Sequence, residues 1–218
     1  MSTYLGRKAL NIGLAAAMVA LACVTAQLKF NVGPVPYTMQ NVAVVMSGML
    51  LPPTYAALAM AAYVALIAIG APVAAGFTGG LAVVLGYCGG YLFGFIISAF
   101  LMSLLRRAYL SVRNIGLHEI GIKDFAALLG LSLVALLPTY ILGYLVFMHY
   151  AVPGSLLYKW SSYVASWLGL RGVSSAFMLF VVSVLIFIPQ DLFMDHVIAI
   201  TASKGVAKLL LGKGVRIE

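Results

Sequence analysis

Apolar runs of roughly 20 residues, separated by short connections, recur from Ala9 to Ser203. A helix of that length matches the ~30 Å hydrocarbon core of a bilayer. Lipid offers no partner to backbone N–H and C=O groups, so such runs must be helices. The chain is 64% hydrophobic and 8% charged, whereas a soluble domain carries about 25% charged residues. The continuous runs also differ from the short alternating strands of an outer-membrane barrel. Spans are expected at about 9–26, 38–51, 54–70, 81–105, 125–148 and 174–203. The fold class is therefore an all-α membrane protein, a bundle of about six transmembrane helices in one integral membrane domain over 1–218.

Charge gives the orientation. The net charge is +8, but the basic residues cluster at the ends of apolar runs, a lipid-facing pattern that excludes a nucleic-acid partner. With an even number of spans, Arg7, Lys8, Arg106, Arg107, Arg113, Lys123, Lys204, Lys208, Lys213 and Arg216 fall on the side of the termini. Only Lys29, Lys159 and Arg171 fall on the other. The N- and C-termini are expected to be cytoplasmic. The connections Gln27–Tyr37, Ala71–Gly80 and His149–Arg171 then face outward, the last with the aromatic residues of an interfacial segment. Arg7 and Lys8 before Ala20-Leu21-Ala22-Cys23 superficially resemble a cleaved leader. The run continues to Ala26 and more spans follow, so an uncleaved first helix is expected. In that helix Ala16 and Ala20, and again Ala22 and Ala26, lie one turn apart, a spacing that lets another helix approach closely or simply packs internally.

Of five acidic residues, only Asp191 and Asp195 lie inside an apolar segment. An ionised carboxylate in hydrocarbon is costly unless it faces a cavity, a partner or water. Pro189 just ahead breaks the helical ladder. The pair reads either as a polar site facing the bundle interior or as a helix end in the headgroup layer. The two acids are one turn apart and could share a proton. Gly89 and Gly90 interrupt the fourth span and bring backbone close to whatever lies beside it. Tyr91 follows with a hydroxyl and a ring, and Gln40 and Asn41 open the second span. For Tyr91 the competing role is an interhelical hydrogen bond, and for Gln40 and Asn41 it is satisfying helix-end backbone groups. Together these residues suit a small, largely apolar ligand with a polar head.

Several chemistries are missing from the pattern. There is no Gly-x-x-x-x-Gly-Lys-Ser/Thr loop, so no ATP site of that type. No metal-ligand spacing occurs among the three histidines and two cysteines, and no cofactor or catalytic residue is expected. Cys23 and Cys88 read as small packing residues. No Gly-x-Ser-x-Gly elbow is present. An intramembrane enzyme using Asp191 stays as a reading of a different class, although two acids on one helix suit an aspartyl protease poorly.

Four stretches together resemble the BioY family, the biotin-binding S components of energy-coupling factor (ECF) transporters. They are Gly33-Pro34-Val35-Pro36-Tyr37-Thr38-Met39-Gln40, Gly70-Ala71-Pro72-Val73, Gly89-Gly90-Tyr91-Leu92-Phe93-Gly94-Phe95 and Ile188-Pro189-Gln190-Asp191-Leu192. They are in family order across nearly the whole chain. The resemblance implies a non-enzymatic, multi-pass subunit of the cell membrane that captures biotin from outside. It would dock on a transmembrane coupling subunit driven by two ATPases. It implies that Tyr91 and Asp191 contact the ureido ring; the residue pattern itself adds Gln40, Asn41, Gly89, Gly90 and Asp195 as candidate ligand contacts. Ala16 and Ala20 would form the docking face. The chain departs from the family at Met194, where a lysine is common, and at Gly86-Tyr87-Cys88, where Gly-Pro-Thr is common. Another small vitamin, thiamine-like or riboflavin-like, is the alternative ligand.

Overall fold

The computed structural model describes residues 2–31, 35–215 and 217. Gly33 and Pro34 of the first outer connection, Arg216 of the basic set and Glu218 lie outside the described residues. Helix α1 (Ser2–Thr25) has no proline to interrupt it. Its last carbonyls are met by side chains: Thr25 Oγ1 donates to Leu21 O at 2.8 Å and Gln27 Nε2 to Cys23 O at 3.2 Å. The connection that follows contains a short antiparallel strand pair, β1 (Lys29–Asn31) and β2 (Pro36–Thr38), with Lys29 opposite Thr38.

Helices α2 (Gln40–Leu50) and α3 (Pro53–Ala68) come next. Pro53 occupies the first turn of α3, where its missing N–H costs nothing. At 1.5 Å per residue, α2 is about 16 Å long and α3 about 24 Å, each short of a ~30 Å core. Every residue of α2 is buried. Among the described residues, four helices are long and apolar enough to cross a membrane, and α2 and α3 are the shorter apolar ones.

The run expected at 81–105 is divided. A single turn, α4 (Leu81–Val84), precedes α5 (Gly89–Arg113). The helix therefore starts after the glycine break and continues past Leu105. Arg106, expected in a polar connection, is 1% exposed. Its guanidinium reaches Leu51 O at 3.4 Å and Ser103 Oγ donates to the same oxygen at 2.6 Å, so both cover the C-terminal end of α2. Asn114, with φ of 51°, ends α5 in the left-handed region that asparagine tolerates.

Helix α6 (Ile122–Tyr150) carries Pro138 in its interior. Close backbone contact joins it to α5. A β-carbon on Gly90 would strike the Leu142 carbonyl, and one on Gly143 would strike the Tyr91 ring. Ser98 and Thr139 hydrogen-bond between the two helices at 2.8 Å. The outer connection expected over 149–171 forms an amphipathic helix, α7 (Leu156–Trp167). It buries Ser161, Val164 and Ala165 and exposes Leu156, Tyr163 and Trp167. Ser155 caps it, accepting from Tyr158 N–H at 3.1 Å. The last helical stretch, α8 (Ser175–Gly212), has 38 residues. Two wide π-helical segments, Val181–Leu185 and Asp191–His196, flank Pro189.

The sides of the bundle are apolar, and its few polar and ionisable side chains within the helices turn inward, among a largely apolar core. Phe93, Ile97, Phe100 and Leu104 form an exposed stripe on α5, as do Val134, Leu137, Ile141 and Leu145 on α6. Ser98, Ser132, Thr139, Ser183, Asp191, Asp195 and His196 are buried. Apolar faces outside and ionisable groups within are the arrangement hydrocarbon demands, and this is a membrane protein.

Candidate ligand cavity

A cavity of about 410 Å³ opens among the strand pair, the N-terminal end of α2, the loop before α5, and the helices α5, α6 and α8. That is enough for a vitamin-sized molecule. Val35, Pro36, Ala74, Val83, Leu92, Phe95 and Phe187 supply apolar wall.

Its polar side is built on α8 around Pro189. The Phe187 N–H bonds to Val184 O at 3.0 Å rather than to Ser183 four residues back. The Ser183 carbonyl instead accepts the Tyr91 hydroxyl at 2.6 Å. Asp191 follows Pro189 by two residues and is 3% exposed. Tyr140 donates to Asp191 Oδ2 at 2.8 Å, and the Asn41 side chain lies beside the same carboxylate. Asn41 Oδ1 is buried with no hydrogen-bond partner among the described residues. Such an acceptor is costly to leave unmet. Tyr37 stacks on Phe187 with ring centroids 4.0 Å apart. Burial, and then the nearby Asp191 charge, raises the Tyr37 phenol above its ordinary value, so it stays neutral.

The structure thus brings Tyr91, Asp191, Gln40 and Asn41 to one cavity. It gives them different duties. The proton of Tyr91 is committed to Ser183. The amide of Gln40 donates to Tyr63 Oη at 2.7 Å and accepts from Thr38 Oγ1 at 2.7 Å, and Tyr63 donates to Val73 O at 3.1 Å. That chain ties the β2 end to the loop after α3. The other expected contacts lie elsewhere. Gly89 packs against the Val84 carbonyl and Gly90 against α6; neither lines the cavity. Asp195 is fully buried outside it, close to the Asn41 and Val42 backbone N–H groups but without a well-aligned hydrogen bond. Neighbouring His196 Nδ1 meets Ser132 Oγ at 2.7 Å. Met194, where the resemblance led to an expected lysine, is 41% exposed and is also absent from the lining. On α1, Ala16 and Ala20 are exposed, whereas Ala22 and Ala26 are buried.

Sequence reasoning missed Tyr140, the phenol that meets Asp191. Its one local signal is Pro138 two residues earlier. It also counted Lys29 only as a surface charge, yet Lys29 lines the cavity. Among the described residues no cluster of three His, Cys, Asp or Glu could hold a metal.

Fold and site define a membrane-embedded helical bundle with buried polar acceptors at the wall of a cavity of small-molecule size. A sequence profile described as the BioY family matches residues 1–211, and the chain belongs to that family. It is 43% identical over 99 residues to a probable biotin transporter of Pyrococcus horikoshii, covering 45% of this chain and 61% of that one. It is 49% identical over 86 residues to a biotin transporter of Thermotoga maritima, covering 39% and 51%. The chain thus spans about half to three fifths of the length of these two curated relatives. With a probable biotin transporter of Bacillus subtilis it shares 30% identity over 152 residues, 68% of this chain and 82% of that one. Its fold matches the crystal structure of the S-component for biotin from an ECF-type ABC transporter with a TM-score of 0.70. The identity there is 22%, over 93% of both chains.

Proposed function

We propose that this chain is the biotin-binding S component of an ECF-type transporter in the cell membrane, a binding and uptake subunit without catalysis or a cofactor of its own. The observation that carries the reading is the pair of buried acceptors, Asp191 and the unpartnered Asn41 carbonyl, at the polar side of a mostly apolar cavity. The ureido group of biotin offers two N–H donors to such a pair. Tyr140 holds Asp191 in place, and Leu92, Phe95 and Val83 cover the thioether ring and chain. Tyr91 supplies a wall while its hydroxyl stays on Ser183.

The whole chain forms one integral domain with six crossings, α1, α2, α3, α5, α6 and α8. One shared groove is lined by Gly6, Arg7, Arg107, Val215 and Ile217. The beginning of α1, the end of α5 and the end of the chain therefore gather at one pole, which supports an even number of crossings. With the basic residues concentrated there, that pole is cytoplasmic and the cavity opens outward. The exposed Ala16 and Ala20 present a small-residue face to a coupling subunit powered by two ATPases. The buried Ala22–Ala26 pair is already used within the bundle.

The test is ligand binding by the purified chain in detergent, with a thermal-shift panel of biotin, thiamine and riboflavin. A ligand that binds only the folded form raises its stability. Biotin alone should raise the midpoint. A shift by another vitamin with biotin silent would overturn the assignment. Ala16→Leu and Ala20→Leu should impair assembly with the coupling subunit and leave biotin affinity unchanged; lost binding with intact assembly would reverse the docking face.

A further inference from the structure

Among the described residues, two charged side chains line the cavity, Asp191 and Lys29. Asp191 is buried at 3% exposure, while Lys29, on β1, is exposed. The acid therefore sits inside and the cation at the mouth.

The placement of Lys29 is built by its surroundings. Gln27, two residues earlier, donates to Ala74 O at 3.0 Å and accepts from Phe77 N–H at 2.9 Å. Ala74 N–H bonds to Thr78 O at 3.0 Å, closing the loop on itself. β1 is thus stitched to the loop 74–78, and Ala74, Ala75 and Thr78 of that loop line the same cavity. The Lys29 side chain lies over Gly76. A β-carbon there would come within 2.5 Å of Nζ, so only glycine, at φ of 72°, leaves this path open. Among the described residues, no carboxylate or carbonyl is paired with the Lys29 ammonium.

We propose that Lys29 recognises the carboxylate of the ligand, so that the site selects molecules with a donor-bearing head and an anionic tail. This rests on the biotin reading above and extends it to the other end of the molecule. Biotin ends in a valerate carboxylate, which an ammonium at the cavity mouth meets with a charge-assisted hydrogen bond. An exposed cation gains less from this contact than a buried one, and the gain falls with salt. Its contribution is to selectivity and to capture of the anion from solution.

The experiment measures dissociation constants of purified wild type, Lys29→Met and Lys29→Arg for biotin and for biotinamide, which lacks the negative charge. Methionine keeps the apolar stem over Gly76, and unchanged biotinamide affinity reports an intact site. Wild type and Lys29→Arg should prefer the free acid by about two- to fivefold at low salt. That preference should shrink at high salt, and Lys29→Met should bind both forms alike. An acid preference that persists undiminished in Lys29→Met overturns the role of Lys29 and leaves the biotin site standing. Equal affinity for both forms in wild type does the same. Wild type that binds neither form overturns both proposals.

Discussion

Two carboxylates of this chain occupy opposite kinds of setting. Asp124, at the start of α6, is enclosed by donors. Tyr109 Oη reaches Oδ1 at 2.9 Å, Arg113 Nε reaches the same oxygen at 3.0 Å, and Gly121 N–H reaches Oδ2 at 3.0 Å. That corner is complete and has an evident job: it caps α6 and pins it to the end of α5. Asp191 has Tyr140 on one oxygen and beside it an Asn41 carbonyl with no partner among the described residues. It faces a chamber rather than a helix end. A satisfied carboxylate holds structure together, and one set beside a spare acceptor is where the proposed function puts the ligand.

Substitutions test that contrast. Asp191→Ala should give the largest effect, a loss of about 2–3 kcal/mol of biotin binding, or roughly 30- to 150-fold in Kd, because a charged acceptor is removed. Titration calorimetry checks it, and unchanged affinity would remove Asp191 from the site. Gly143→Ala should lower stability by about 1–3 kcal/mol, since the added methyl meets the Tyr91 ring and must push α5 from α6. Thermal unfolding in detergent reads this, and an unaltered midpoint would show that the two helices have room to spare. Tyr140→Phe should weaken biotin by about 1 kcal/mol, roughly fivefold, by freeing Asp191 to turn. Tyr91→Phe should matter less to the ligand because its hydroxyl serves Ser183; the reverse ranking would give Tyr91 the direct contact. Asp124→Asn should have the smallest effect, a slightly lower midpoint with biotin affinity intact. A change in affinity there would erase the distinction between the two corners.

Much of this was legible beforehand, for physical reasons. Asp191 stood out because an acid in a long apolar run has few places to go. Asn41 was visible as a polar residue opening an apolar helix. Tyr140 was not, since it is one of twelve tyrosines and sits in an apolar stretch where a phenol is unremarkable. Gly89 and Gly90 were read as neighbours of a ligand, but glycine reports only close approach, and the approaching backbone belongs to α4 and α6. Arg106 was assigned to a connection because arginine rarely enters a core. Here it covers the Leu51 carbonyl that the end of α2 leaves open. The π-helical turns left no trace beyond Pro189, because adding one residue to a turn changes no periodicity that a short segment can display.

The brevity of α2 has one more consequence. Gln40 and Asn41, its first two residues, form part of the floor of the chamber. Because protein surrounds α2 on all sides, the helix can stop short without exposing its end to lipid. A longer α2 would thrust its next turn into the space above that floor. If the chamber takes the proposed ligand, the depth to which that ligand can sink is set by where one central helix begins, and lengthening it by a turn would turn a receptacle into a plug.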